Sequence, residues 1–415
     1  MSGHGCGSAC DSGTLMPVDE AIRHLLDQAP PPPPIQRVGL DQALGHVLAA
    51  DVLCPMNLPA WDNSAMDGYA LRAADLSPVG GYLALSGRIA AGDGPGEPLR
   101  EGQAVRIFTG APLPPGADTV VPQESCREEG ERVWMPAARP GDHVRKEGEE
   151  LRQGERLFNA GTRLRAQELG LLAGAGIARV KVYRPLRVVL LSSGDELREP
   201  GEPLAPGQIY NSNRRSIAAL LRGWGFEVHD FGVMPDRLQA SQQALSLAAA
   251  DCDVLLTSGG VSVGEEDHLK QAIERLGSLD LWRLAIQPGK PLAFGEVAGT
   301  PWIGLPGNPS AALITALVVV RPFLFRAQGM AQVLPVPLHL PAGFDWLQRN
   351  RRRQYLRARL VPDAEGHLCV VPHPQQSSAM LTAACWADGL AVVECEAKVH
   401  KHDRVMYLPF ADLMH

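Results

Sequence analysis

Apolar residues at Ala21, Ile22, Leu25 and Leu26, behind Pro17, fall on one face of a 3.6-residue spiral and predict a helix over residues 17–28. The proline run 30–34 ends it and reads as a stiff spacer between packed elements. Residues 40–50 predict a second helix. From 61 to about 144 the pattern becomes short apolar runs broken by glycines and prolines such as Gly94, Pro95, Pro114 and Gly116, which predicts a small β domain. Residues 163–174 return to helical spacing.

At residue 187 the texture changes again. A continuous β-branched and leucine run over 187–191, followed at once by Ser192, Ser193, Gly194 and Asp195, is a buried strand feeding a polar loop. Helical spacing over 212–222, strand-like 227–232, helical 237–250 and strand-like 253–257 follow, then short strands over 292–294 and 302–305 and a helix over 310–325. Alternation of this kind predicts a doubly wound parallel sheet with helices on both faces. From about 335 short strands and turns resume, which predicts a C-terminal β domain.

Three loops follow three of the predicted α/β strands and should meet in one crevice beyond their carboxyl ends. They are Ser193-Gly194-Asp195-Glu196, Ser258-Gly259-Gly260 running on to Ser262, and Pro306-Gly307-Asn308-Pro309-Ser310. Glycines let backbone N–H groups approach an anion, and the third loop opens a helix whose N-terminus suits a phosphate, with Ser310 as its expected cap. Glu196, Asp236 and Asp267 each follow a different strand and are the candidates for holding a hard cation such as Mg²⁺. Asp195, Glu265 and Glu266 read as helix caps or solvated charges.

Composition narrows the class. The 415 residues suggest several domains, and 45% hydrophobic with 20% charged residues is a globular mixture. A net charge of -7 argues against nucleic acid as a partner. The longest strongly apolar stretch, residues 311–320, falls short of the roughly 20 residues that span a bilayer, so no membrane span is expected. The start of the chain lacks a basic segment followed by an apolar one, and the cysteines from Cys54 onward lack metal or disulfide spacing; both point to the cytoplasm. Cys6 and Cys10, with His4, lie in a Gly/Ser-rich tail that reads as a disordered extension. The basic run 349–353 stays open between a solvated face and a functional patch.

Several long motifs resemble one family. Thr257-Ser-Gly-Gly-Val-Ser-Val-Gly264, Gly304-Leu-Pro-Gly-Asn-Pro309 and Asp62-Asn-Ser-Ala-Met-Asp-Gly-Tyr-Ala70 are similar to the hallmarks of the molybdopterin molybdenumtransferase family, which includes the E domains of gephyrin and of the plant molybdenum insertase. Ser193-Gly-Asp-Glu-Leu197, Gln208-Ile-Tyr210, Arg106-Ile-Phe-Thr-Gly-Ala-Pro112 and Gln287-Pro-Gly-Lys-Pro291 extend the likeness, in order, from about residue 17 to 410. The resemblance implies a multidomain α/β plus β chain. An elongated linker domain would take 16–60 and 145–183, a small β domain 61–144, an α/β molybdopterin-binding domain 184–330 and a C-terminal β-barrel 335–410. It implies a homodimer with a composite active site, one subunit's α/β part facing its partner's linker and small domains.

The implied reaction inserts molybdate into adenylyl-molybdopterin with Mg²⁺ and releases AMP. Asp67, Thr109, Glu196, Asp236 and Asp267 would be catalytic, the last three on the metal; Lys290, Pro306 and Pro309 would also be functional. Arg283, Lys290, Arg357 and Ser377 are the molybdate candidates. Arg283 and Gln287 stand where the family commonly has lysine, and Glu150 where aspartate is usual. A molybdopterin adenylyltransferase and molybdoenzyme maturation proteins are the expected partners. The competing readings are a non-catalytic molybdopterin-binding or scaffold protein, and a molybdopterin adenylyltransferase.

Overall fold

The computed structural model describes residues 15–235, 237–260 and 268–414. Asp236, Ser262, Asp267 and the tail with His4, Cys6 and Cys10 lie outside the described residues. The chain divides into two compact units, one of residues 50–160 and 166–180, the other of the remainder.

The smaller unit is built on a six-stranded sheet. Its strands run in the order Thr119–Pro122, Gly68–Leu71, Gln103–Ile107, Gly81–Ile89, Arg132–Met135, Arg127–Glu129. Leu71, Leu83, Ala104, Ile107, Val120 and Val133 close its core. Shorter ribbons pair Val52–Leu53 with Arg156–Phe158 and Asn63–Ser64 with Val144–Arg145.

The larger unit holds the α/β sheet, with strands in the order Glu227–Met234, Arg187–Ser193, Val254–Ser258, Thr300–Leu305, Pro291–Val297, Gly277–Arg283. The first four are parallel. The expected doubly wound parallel sheet is present, and two further strands extend it, each antiparallel to its neighbours. Val297 pairs with Thr300 across Ala298 and Gly299, both at positive φ, and a two-residue turn of that kind closes a hairpin and leaves no room for a crossover helix. On Arg187–Ser193, Val188 and Leu190 point to one core with helices Val18–Asp27 and Ser212–Gly223, while Val189 and Leu191 point to another with Leu238–Ala249 and His268–Leu276. This is the two-residue period of a strand buried on both faces.

Residues 40–50 are not the predicted helix. Only Leu40–Gln42 makes a helical turn; Gly45, at φ +79°, leaves the helical path, and Val47 and Leu48 instead bridge to Arg163 and Val182. The predicted helix over 310–325 runs longer, from Pro309 to Ala327, apolar enough by length and composition to cross a bilayer. It lies 94% buried in this fold, which accounts for its apolarity.

C-terminal strands Leu338–Pro341, Arg404–Pro409, Gly389–Val393, Arg353–Pro362 and Leu368–Pro372 pair antiparallel in that order. Ala342 bridges Val370, and the Gly343 amide donates to the Val370 carbonyl at 2.8 Å, so the sheet closes on itself as a small barrel. A short strand of the α/β part, Ile286–Gln287, adds in parallel to Arg353 and Gln354 and ties the barrel to the sheet.

Candidate active site

Strands Arg187–Ser193, Val254–Ser258 and Thr300–Leu305 are parallel neighbours, so the loops after them emerge side by side. They open into one cleft of about 1110 Å³. Ser193, Gly194 and Glu196 line it from the first loop, Ser258, Gly259 and Gly260 from the second, Pro306, Gly307, Asn308 and Pro309 from the third. The close fit has a steric basis at Gly259. Its φ is +88°, and a Cβ there would lie 2.3 Å from the Ser193 carbonyl oxygen, so only glycine lets the second loop cross the first. Asn213, early in helix Ser212–Gly223, donates from Nδ2 to the Ser258 hydroxyl at 2.8 Å and to the Gly307 carbonyl at 2.7 Å, pinning the second and third loops together.

The start of helix Pro309–Thr315 departs from expectation. Ser310 does not cap it: Asn308 holds the cap position, and Ser310 is the second helical residue, fully buried, its hydroxyl without a hydrogen-bond partner among the described residues. The amides of Ser310 and Ala311 both donate to the Ser378 carbonyl, at 2.9 and 3.3 Å. Two of the orphan donors that every helix start carries are thus consumed by the barrel. Gly307 and Asn308 supply the amides that remain, with no backbone acceptor among the described residues.

The cationic wall differs from the sequence reading in its members. Lys290 and Ser377 line the cleft as expected. Arg283, exposed at the end of the edge strand, is not among the lining residues, and neither is Arg357. Arg352 is. It donates to the Gly289 carbonyl at 3.3 Å and to the Gln287 side chain at 3.4 Å, so it stands beside the position where the family commonly has a lysine. The basic run 349–353 therefore splits: Arg352 faces the cleft, while Arg353 is held by Asp19 and Glu394. Arg352 lies just before the strand that begins at Arg353, so no strand alternation in the sequence marked which of the two would face the cleft. Arg357 is fully buried and donates to the Ser377 carbonyl at 3.0 Å, while its own backbone exchanges two bonds with Gln376. It braces the loop that carries Ser377. Burial pushes its guanidinium down to about 10, and Nε and Nη1 have no partner among the described residues.

Glu196 is the one proposed metal-holding carboxylate that can be placed. It folds against Gly194 so closely that a Cβ on residue 194 would meet a carboxylate oxygen at 2.6 Å. No group of three or more His, Cys, Asp or Glu among the described residues is arranged to hold a metal ion. The Glu196 carboxylate itself is a hard oxygen ligand, the kind that suits a hard cation, and it lines the cleft.

In the smaller unit, Asp67 and Thr109 are brought together. Strands Gly68–Leu71 and Gln103–Ile107 pair Gly68 with Ile107, so the residues just past them meet at one end of the sheet. One Asp67 oxygen accepts the Thr109 amide at 2.8 Å and the Thr109 hydroxyl at 2.7 Å. Those bonds hold the Asp67 carboxyl below its ordinary range.

Three family patterns match the chain in succession: the MoeA N-terminal region (domain I and II) over residues 16–176, a probable molybdopterin binding domain over 189–326, and the MoeA C-terminal region (domain IV) over 339–410. A molybdopterin molybdenumtransferase of Haemophilus influenzae is 40% identical over 320 residues, spanning 77% of this chain and 79% of that one. Its counterpart in Nostoc is 41% identical over 306 residues, 71% and 70% of the two chains. The crystal structure of a molybdopterin biosynthesis moeA protein from Pyrococcus horikoshii superposes with a TM-score of 0.80 at 25% identity, covering 95% of this chain and all of that one. Together with the cleft built at the strand ends, these likenesses place the chain in the MoeA family, the molybdopterin molybdenumtransferases.

Proposed function

We propose that this chain takes adenylyl-molybdopterin and molybdate, inserts molybdenum between the two dithiolene sulfurs and releases AMP by hydrolysis of the phosphoanhydride, working in the cytoplasm as a homodimer. The convergence of three strand-end loops and the Ser377 loop on one cleft carries this reading. A cleft of about 1110 Å³ is of the size that holds a pterin with its phosphate tail.

The amides of Gly307 and Asn308 would donate to the terminal phosphate, with Lys290 as a point charge beside it. Molybdate, a substrate here, would meet Lys290, Arg352 and Ser377. Arg357, with orphaned donors behind Ser377, gains from an anion in front of that loop. Glu196, with Asp236 and Asp267, would hold Mg²⁺, which when bound supplies Lewis-acid polarisation of the anhydride oxygens. Glu196 would present a carboxylate to that ion, and Ser193 and Ser258 would add polar groups to the same cleft. Asp67, held ionised by Thr109, would act on the partner subunit's cleft.

The deciding assay mixes the purified chain with adenylyl-molybdopterin, Mg²⁺ and molybdate. AMP should appear together with activation of an apo-molybdoenzyme; binding of the pterin with neither event would make the chain a carrier. Mixing an Asp67→Ala subunit with an Asp267→Ala subunit should restore part of the activity, because one cleft of each heterodimer then has both residues. Efficient heterodimer formation without recovery would place both residues in the same subunit's cleft.

A further inference from the structure

In the smaller unit, the row Tyr69, Arg106, Arg88 crosses three adjacent strands: Tyr69 is the antiparallel partner of Arg106, and Arg88 its parallel partner. Two arginines directly opposite each other repel, and a sheet ordinarily sets an acid there. The chain goes out of its way to make the pairing. Leu85 sits opposite Ala104 and Arg88 opposite Arg106, so three steps on one strand match two on the other. The extra residue is a β-bulge containing Gly87, whose φ of +155° side chains rarely adopt. With a regular register, Gly87 would face Arg106; the bulge re-aims the strand so that Arg88 does.

Phe108, two residues beyond Arg106, steadies both cations. The Arg88 guanidinium lies 4.6 Å from its ring centroid and that of Arg106 5.1 Å, and Arg106 also lies 5.0 Å from the Tyr69 ring. Arg106 is further held by the Gln123 side chain and by the Gly68 carbonyl at 3.4 Å. Stacking occupies the face of a guanidinium and leaves its N–H edge available. The acids nearby make their hydrogen bonds elsewhere, Asp67 through one oxygen to Thr109 and Glu128 to the Tyr69 hydroxyl, although the Asp67 charge also feels Arg106. Arg88 is exposed and has no carboxylate partner among the described residues.

We propose that Arg88 and Arg106, braced on Phe108, form a phosphate-binding subsite on the face of the small sheet, near the Asp67–Thr109 pair, and that it takes the phosphate of a nucleoside monophosphate. The open Arg88 edge, with the N–H groups that Arg106 keeps beyond those given to Gly68 and Gln123, offers donors for two phosphate oxygens, and the anion offsets the repulsion between the two cations. The proposal rests on the function above only for the molecule that carries the phosphate, AMP or its precursor anhydride.

Calorimetric titration of the full-length protein with AMP tests it. Arg88→Ala should weaken AMP binding about tenfold or more, and Arg88→Lys should restore it only in part, because an ammonium lacks the two-pronged edge. Inorganic phosphate should bind more weakly and show the same dependence on Arg88. In turnover, Arg88→Ala should raise KM for adenylyl-molybdopterin and change kcat little. Equal AMP affinity in the wild type and Arg88→Ala would overturn the subsite, as would AMP binding lost from Arg88→Ala with phosphate binding unchanged. A wild type that binds AMP through Arg88 but releases none from adenylyl-molybdopterin would sink the proposed function and leave the subsite standing. Arg88→Gln, isosteric in its stem and neutral, repeats the titration should the alanine variant prove unstable; AMP affinity retained in Arg88→Gln would likewise overturn the subsite.

Discussion

The strand-end cleft and the Asp67–Thr109 pair are assembled in opposite ways. The cleft is made by backbones in close contact, with Gly259 crossing Ser193 and a buried Asn213 pinning two loops at once. Its chemistry and its stability share the same atoms. The Asp67–Thr109 pair sits past the ends of two inner strands of a sheet, one Asp67 oxygen accepting the amide and the hydroxyl of Thr109. There, stability is supplied by the core beneath, and the pair is free to serve chemistry alone. The difference teaches which variants will report on folding and which on function.

The largest effect should come from Gly259→Ala. A positive φ and a Cβ 2.3 Å from a carbonyl oxygen together should cost about 2–4 kcal/mol, read as a lower urea midpoint. Gly307→Ala is the control, since its Cβ would meet nothing nearer than 4.0 Å, and it should cost under about 0.5 kcal/mol. Equal midpoints for the two would mean that the crossing is not tight. Next, Glu196→Gln should lower the rate of AMP release on the order of 100-fold with an unchanged unfolding midpoint, as expected when a group acts in the chemical step. Wild-type AMP release would remove Glu196 from the metal.

Arg352→Ala removes a charged donor from the cleft wall. Such bonds are worth about 1.5–3 kcal/mol, so the molybdate needed for half-maximal rate should rise about ten- to a hundredfold. Arg283→Ala, exposed and outside the lining, should stay within about twofold. The reverse ranking would move the oxyanion to the edge strand. Smallest is Thr109→Val. Asp67 has a depressed pKa, so its anion persists below the ordinary carboxylate range and is lost only as pH falls through that depressed value. Removing the hydroxyl donor should move the acid limb of the pH–rate profile to higher pH. An unmoved limb would show that Asp67 ionisation does not govern the rate.

The comparison also explains what the sequence could reveal. The parallel strands, their loops and the glycine at 259 were legible because strand, loop and helix alternate locally and each loop carries its own composition. Asp67 and Thr109 were legible only through resemblance, since 42 positions separate them and the register that joins them is set by a sheet. The hairpin that turns the sheet antiparallel after Gly277 hinges on two residues, Ala298 and Gly299, an easily overlooked turn. Arg352 was hidden in a run of arginines, where composition says nothing about which one faces inward. The Ser378 carbonyl on the amides of Ser310 and Ala311 was beyond reach, because a backbone acceptor 68 positions after Ser310 leaves no mark on side-chain pattern.

That last contact sets an order of birth. Chains emerge from the ribosome N-terminus first, at about 5–20 residues per second, and folding begins before synthesis ends. The strands and helices of the α/β layer are complete by Ala327, but the core on one face of its sheet also takes in Tyr355, Leu390, Val392, Leu408, Phe410 and Leu413, so that core stays open while the barrel strands are still being made. During those seconds the helix that starts at Pro309 lacks the Ser378 carbonyl, and the cleft lacks Arg352 and Ser377. The nascent protein therefore has its α/β elements before it has either a finished core or a seat for its anion. The final strands, Gly389–Val393 and Arg404–Pro409, complete the barrel and add Leu390, Val392 and Leu408 to that core, so a prematurely released chain would be an incomplete vessel with an unsealed core.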